Sequence, residues 1–189
     1  MTEFEFAIEA ITEADIASRV AELGEAISTD YVDREPLFVV VMMGSIQFAA
    51  DLVRKVDLRC EIDFLGLNRF GEGGRIGVAV DLASPVLDRD VIIVEDITDT
   101  GLTLSVLRKM MLDRGAASVA TASLIDKTRR RVTVVPIEYR GFEVGDEYLI
   151  GYGMDWQGIY RNLRSIWAAL DLEAFVNDPK ILAHALDMT

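Results

Sequence analysis

The hydrophobic positions of this chain follow two periods that alternate along its length. Ile16, Val20, Leu23 and Ile27 recur at helical spacing, so an amphipathic helix is expected from about Glu13 to Ser28, with Thr12 and Asp15 as an N-cap pair. After Pro36 the period changes. Leu37-Phe38-Val39-Val40-Val41-Met42 is a continuous apolar run of the kind found in a strand buried on both faces. Gly44-Ser45 reads as a turn, and Phe48, Leu52 and Val53 mark the next helix. Strand signals resume at Glu61 to Leu65. The stretch Asn68 to Arg75, with Gly71, Gly73 and Gly74, predicts a mobile loop at about residues 66–76, and Ile76 to Leu82 predicts a strand returning from it. Val91 to Val94 is another buried strand. It leads to a helix carrying Leu104, Leu107, Met110 and Met111 on one face and ending near Gly115, a natural C′ residue. A further strand is expected over Ala117 to Ile125, and Val132 to Ile137 and Glu147 to Ile150 are shorter apolar runs. From Ile166 onward, with Pro179 interrupting, the pattern fits a helix or a loose tail equally well.

Strands alternating with helices imply the α/β class: a mostly parallel twisted sheet with helices on both faces. A length of 189 residues suits one domain spanning 1–189, and 51% hydrophobic residues can fill its core. The formal net charge of −13 argues against binding nucleic acid by phosphate neutralisation. An anionic ligand would therefore have to be met locally, by helix N-termini, a metal ion or a few placed cations. The single cysteine, Cys60, expected as a small core residue in a strand, allows no intrachain disulfide, which fits a reducing compartment. The opening MTEFEFAIEA is acidic and lacks the basic region of a secretion signal, and no apolar run approaches the roughly 20 residues that span a bilayer. These features predict a cytoplasmic protein with no nucleic-acid or membrane partner.

The candidate chemistry concentrates in Val91-Ile92-Ile93-Val94-Glu95-Asp96-Ile97-Thr98-Asp99-Thr100-Gly101. In open α/β sheets, ligands bind beyond the carboxyl ends of the strands. Here such an end carries two adjacent carboxylates, then a Thr/Asp/Gly turn into a helix, whose free N–H groups favour an anion. Carboxylates would repel a phosphate, so Glu95 and Asp96 need another task. They could accept hydrogen bonds from sugar hydroxyls or hold a divalent metal. Lys127 follows Leu124-Ile125-Asp126 at the end of the next strand and opens the basic run that ends in Arg129, Arg130 and Arg131. Such a run ordinarily marks a solvated face. Glu147-Tyr148-Leu149-Ile150-Gly151-Tyr152-Gly153-Met154-Asp155 is strand-like, then glycine-rich, then acidic, and Arg161 comes shortly after. Each of these, taken alone, also reads as ordinary surface or core. No catalytic cysteine or Ser/His/Asp signal is present, and the sole histidine, His184, is expected to be exposed.

The run from Glu95 to Gly101, extended by Thr103, resembles the 5-phosphoribosyl-1-pyrophosphate (PRPP) motif of the type I phosphoribosyltransferases. With Lys127, Tyr148, Asp155 and Arg161 in the same order, the chain resembles the hypoxanthine-guanine branch from about Phe38 to Leu163. The resemblance is weakest at the N-terminal helix and in the last 25 or so residues. It implies the type I phosphoribosyltransferase fold, with a small hood formed by the N-terminal and C-terminal segments. It also implies transfer of the phosphoribosyl group from PRPP to a 6-oxopurine, with Mg²⁺ as cofactor. Glu95 and Asp96 would then meet the ribose hydroxyls, directly or through the metal, and Asp155 would be a further metal-linked carboxylate. The turn Asp99, Thr100, Gly101, Leu102, Thr103 would hold the 5′-phosphate, and Asp99 would act as general base or acid at purine N7. Lys127 would donate to O6, Tyr148 would stack on the base, and the backbone of Leu149 would read its edge. Met43, Gly44 and Arg161 would face pyrophosphate, the first two in a loop of unusual peptide geometry. A homodimer or homotetramer is implied as well.

The chain departs from the family pattern in three places. Met43 stands where a lysine is frequent, Leu102 where another lysine is frequent, and Asn68-Arg69-Phe70-Gly71 where a Ser-Tyr pair closes over the reacting centre. Phe70 could keep an aromatic lid and Arg69 could add a cation near pyrophosphate. Two other readings accompany the first: the same chemistry on xanthine or a pyrimidine, and a PRPP- or nucleotide-sensing regulator with little turnover.

Overall fold

The protein is described by a computed structural model over residues 2–70 and 75–188. Two sheets organise it. The larger has six strands: β3 (Leu37–Met42), β4 (Glu61–Phe70), β5 (Arg75–Val80), β6 (Asp90–Thr98), β7 (Ser118–Asp126) and β8 (Tyr139–Glu143), in the order β5-β4-β3-β6-β7-β8. Its pairings are parallel except that of β4 with β5. The smaller is antiparallel and joins β1 (Glu3–Phe4) and β2 (Ala7–Ile11) from the start of the chain to β9 (Tyr148–Ile150) and β10 (Ile166–Ala169), in the order β1-β2-β10-β9.

The central strands are apolar throughout because both of their faces are covered. Successive side chains point to opposite sides. Phe38 and Val40 of β3, with Ile92 and Val94 of β6, meet Ile16, Val20, Leu23 and Ile27 of α1 (Glu13–Asp30) and Phe48 and Leu52 of α2 (Ile46–Val53). Leu37, Val39 and Val41, with Val91 and Ile93, meet Leu104, Leu107 and Met111 of α3 (Leu102–Asp113). Helix α1 begins as expected, with Thr12 Oγ1 accepting the Asp15 N–H at 3.2 Å. Helix α3 ends before Gly115, which adopts φ 86°. Close-packed layers on both sides hold β6 still, and the strand in turn fixes where its carboxyl end projects.

The structure corrects several expectations. Strand β4 continues to Phe70 and β5 begins at Arg75, so ladder pairing, with an irregularity between Gly66 and Leu67, occupies most of the segment read as a loop. Residues 71–74 lie outside the described residues, as do the side chains of Arg69 and Phe70. Cys60 sits in the link before β4, partly buried against the α1–α2 side of the core, rather than within a strand. Val132 to Ile137 forms no strand: its first N–H bonds to the Thr100 carbonyl, and Val134 is fully exposed. The edge strand forms instead at Tyr139–Glu143. The chain end is neither one helix nor a loose tail. Ile166–Ala169 is a wholly buried strand, followed by α4 (Leu172–Asn177) and α5 (Ile181–Ala185) on either side of Pro179. Phe175 and Leu182 of these helices pack with Trp167, Tyr160 and Ile150 into a separate small core. His184 is exposed and lies beside Asp178.

Phe38 is fully buried between the sheet and its two-helix layer. Phe38→Ala should cost about 3–5 kcal/mol of unfolding free energy, read from the urea midpoint. A loss below about 1 kcal/mol would mean that this layer is not tightly packed.

Candidate active site

A cleft of about 570 Å³ opens at the carboxyl ends of β6 and β7, between the large sheet and the small one. Ten of the residues singled out in the sequence line it: Glu95, Asp96, Asp99, Thr100, Gly101, Thr103, Lys127, Tyr148, Leu149 and Asp155. They come from separate parts of the chain: the carboxyl ends of β6 and β7, the first two residues of β9 and the loop that follows β9.

Glu95 and Asp96 terminate the apolar part of β6, and only 7% of Glu95 is exposed. Burial pushes the Glu95 carboxyl well above the usual range, and the charge of Asp96 adds to the effect. Asp96 is also raised by burial, against the pull of the Ile97 N–H and of Arg161. Its position is closely specified. Its N–H donates to Ser45 Oγ at 3.0 Å, and its Oδ1 accepts the Ile97 N–H at 2.9 Å. A Cβ on Gly44 would come within 1.7 Å of Asp96 Oδ2, so the first loop must carry glycine there. The Met42–Met43 peptide of this loop is cis.

Beyond them, the turn Asp99 to Gly101 leads into α3, with Gly101 at φ 81° as its N-cap. Asp99 Oδ1 lies 2.8 Å from Nε of Arg130. Lys127, 6% exposed, donates from Nζ to the Glu147 carbonyl at 2.6 Å. Burial lowers its ammonium pKa, and the nearby Asp99 charge opposes that shift. Tyr148 is partly exposed in the cleft. Its ring stands edge-on to Trp156 at 5.2 Å, and its hydroxyl donates to the Asp155 carbonyl at 3.0 Å. Asp155 accepts the Gly158 N–H at 2.6 Å and pairs with Arg161 Nη2 at 2.6 Å, while Arg161 Nη1 donates to the Gly153 carbonyl at 2.5 Å.

The remaining sequence candidates lie apart from the cleft lining. Gly44 supports Asp96 from behind, Met43 is exposed, and Leu102 is exposed at the start of α3. Arg161 lines a neighbouring cavity of about 340 Å³ with Gln47 and Tyr152, and reaches the cleft through Asp155. The Arg69 side chain lies outside the described residues. The sequence reading missed Arg130, Asp146, Met154 and Leu172, which also line the cleft. The basic run after Lys127 held a signal for Arg130. Leu172 arrives from a helix that the apolar pattern did not resolve.

Glu95 and Asp96 fit a hard divalent cation chemically, being adjacent carboxylates whose burial disfavours their charges without one. Among the described residues no three His, Cys, Asp or Glu side chains converge on one point, so Asp155 does not close a cage with the pair. A cation held here would complete its shell from water and ligand oxygens, the usual habit of Mg²⁺.

The phosphoribosyl transferase domain model matches residues 8–157. The hypoxanthine-guanine phosphoribosyltransferase of Bacillus subtilis is 38% identical over 157 residues, covering 81% of this chain and 87% of that protein. The enzyme of the same name from Streptococcus thermophilus is 37% identical over 156 residues, covering 80% and 87%. The crystal structure of a hypoxanthine-guanine phosphoribosyltransferase from Bacillus anthracis superposes with a TM-score of 0.85 at 33% identity, covering 88% of this chain and 100% of that one. A hypoxanthine phosphoribosyltransferase from Staphylococcus aureus gives a TM-score of 0.86 at 32% identity, covering 90% and 95%.

Gly44→Ala should push the Asp96 carboxylate from its place and lower activity by roughly tenfold or more, with little change in melting temperature. Full activity in that variant would show that the position of Asp96 is not critical.

Proposed function

The chain belongs to the phosphoribosyl transferase family, and we propose that it transfers the 5-phosphoribosyl group from PRPP to hypoxanthine or guanine, releasing pyrophosphate and the nucleoside monophosphate. One observation carries the reading: the acidic pair Glu95-Asp96, the turn residues Asp99, Thr100, Gly101 and Thr103, and the buried Lys127 line a single cleft. The relatives named above supply the substrate class.

Each residue then has a task that its surroundings suit. Glu95 and Asp96 accept hydrogen bonds from the ribose hydroxyls and stabilise the positive charge that develops on the sugar as pyrophosphate departs, as carboxylates do in glycoside chemistry. The turn Asp99–Thr103 takes the 5′-phosphate with its N–H groups and the hydroxyls of Thr100 and Thr103. Asp99 holds or moves the proton at purine N7. Lys127 leaves the Glu147 carbonyl to donate to the exocyclic oxygen of the base. Facing the amino group of adenine it would have no acceptor, and mismatches of this kind can discriminate by roughly 10⁴-fold. Tyr148 offers its ring to the base, and the Leu149 backbone meets the base edge. Arg161, anchored on Asp155, faces the pyrophosphate side. Mg²⁺, held by Glu95 and Asp96 with pyrophosphate oxygens, would neutralise the leaving group. The same reading extends to a homodimer or homotetramer in the cytoplasm.

The test is turnover of hypoxanthine, guanine, xanthine and adenine with PRPP, with and without Mg²⁺. Metal-dependent reaction of hypoxanthine or guanine with adenine inert is the expected result. Turnover of xanthine alone would move the reading to another base, and silence on all four would move it to a nucleotide sensor. Asp99→Asn should lower kcat by roughly 10²-fold or more while PRPP binding is largely kept. An unchanged kcat would remove Asp99 from proton transfer.

A further inference from the structure

The segment that follows Lys127 grips the phosphate turn by its carbonyls. The Lys127 N–H donates to the Thr98 carbonyl at 3.0 Å, and the Val132 N–H donates to the Thr100 carbonyl at 3.0 Å. Between them, Arg131 Nη1 donates to the Asp99 carbonyl at 2.7 Å. Three consecutive carbonyls of the turn are thus held from the same side. In a trans peptide the next N–H points opposite to the carbonyl. Holding these carbonyls therefore turns the N–H groups of Asp99, Thr100 and Gly101 away from the segment. Among the described residues the N–H groups of Thr100 and Gly101 have no backbone acceptor.

Two of the three ties are main-chain bonds that any residue would make. The third depends on Arg131, and Arg131 is itself fixed. Its Nη2 lies 2.5 Å from Oδ1 of Asp126, a carboxylate that is only 1% exposed at the end of β7. The other oxygen of Asp126 lies 2.8 Å from Nε of Arg140 on β8. One buried carboxylate thus anchors two guanidinium groups, and Arg131 forks between it and the turn, which a lysine could not reproduce. Thr133 and Val135, just beyond, crowd the space where a Gly101 side chain would sit, with contacts of 3.0–3.2 Å to a Cβ built there. The brace thus continues along the segment.

We propose that Arg131, anchored by buried Asp126, is a positioning residue for the phosphate turn: it presets the peptide planes of Asp99 to Gly101 for the 5′-phosphate of PRPP. The proposal rests on the functional reading above and adds to it a residue that would touch neither substrate. Arg140 is its internal control, because it pairs with the same carboxylate but does not reach the turn.

The experiment measures ribose 5-phosphate binding by calorimetry, KM for PRPP and for hypoxanthine, and melting temperature, in Arg131→Gln, Arg131→Lys, Asp126→Asn and Arg140→Gln. In Arg131→Gln, ribose 5-phosphate affinity should fall roughly tenfold or more, the scale of one lost charge-assisted hydrogen bond, and KM for PRPP should rise in step. KM for hypoxanthine should stay within about twofold. Arg131→Lys, which keeps the charge and is the variant to read if the glutamine form does not fold, should show a smaller loss in the same direction. Asp126→Asn should follow Arg131→Gln, and Arg140→Gln should lose thermal stability without a selective loss of ribose 5-phosphate. Equal weakening of PRPP and hypoxanthine in the Arg131 variants, or unchanged ribose 5-phosphate affinity in them, would overturn the proposal. A wild-type protein that neither turns over PRPP nor binds ribose 5-phosphate would instead overturn the functional reading on which it stands.

Discussion

Two adjacent carboxylates that follow the buried apolar run of a central strand are the costly feature around which this molecule is arranged. Burial disfavours the charged form of each; the charge of Asp96 adds to the cost at Glu95, and that of Asp155 to the cost at Asp96. Nothing in the apolar layers offsets that. The offset comes from the rim, as the Ile97 N–H on the Asp96 carboxylate and Arg161 within electrostatic reach, while Ser45 Oγ accepts the Asp96 N–H and fixes the backbone there. The glycine at position 44 follows from the same constraint, since the first loop must pass against the Asp96 carboxylate. A site whose resting state disfavours its own negative charge is primed for a ligand or ion that brings positive charge. The proposed reaction creates such charge on the sugar.

The two sheets divide the labour. The large one has a strand core packed on both faces and supplies rigid positions: the acidic pair from β6, the turn after it, and Lys127 from the end of β7. The small one, closed by β10 and the last two helices over its own core, brings Tyr148, Leu149 and Asp155 to the other side of the cleft. Leu149, Met154, Ile166 and Ala168 join the core on the α1–α2 side of the large sheet, and at the cleft polar ties are added to that apolar contact. Lys127 reaches the Glu147 carbonyl, and Arg161 ties the Asp155 loop to the Gly153 turn, which itself packs on Gly44. Contacts of this kind can exchange partners when a base arrives, whereas the strand core cannot.

What the sequence made legible follows from which forces were local. The buried strands at Leu37 and Val91 announce themselves because a strand covered on both faces must be apolar at every position. Thr12 and Gly115 announce helix ends because capping is decided within a few residues. The ten cleft residues were legible as a set through the order of their motifs, since spacing alone left Lys127 and Arg161 readable as surface charges. The failures are equally physical. Val132 to Ile137 is an apolar run, but its first N–H goes to the Thr100 carbonyl of the phosphate turn and, among the described residues, the run pairs with no strand. Ile166 to Ala169 was ambiguous because four apolar residues carry no period, and their pairing is decided by β9 and by β2 from the other end of the chain. Arg130 and Arg131 were passed over because a run of cations usually faces water, and Asp99, whose carboxylate meets Arg130 and whose carbonyl meets Arg131, lies some thirty residues away in the chain.

That last error bears on how a chain of net charge −13 can take a ligand carrying several phosphate charges. A broad positive field is ruled out by composition, so long-range attraction cannot be the means. The positive groups that matter are few and each is already committed: Lys127 to Glu147, Arg130 to Asp99, Arg131 to Asp126 and Arg161 to Asp155. Pairing keeps each cation oriented and prevents it from collapsing onto the acidic pair. It also means that recognition proceeds by exchange of acceptors at short range, where geometry rather than net charge decides the outcome. The acidic surface then has little say in binding, because at physiological salt its field is screened within about 8 Å. Local pairing of cations and buried strand ends together let an acidic protein present an anion site.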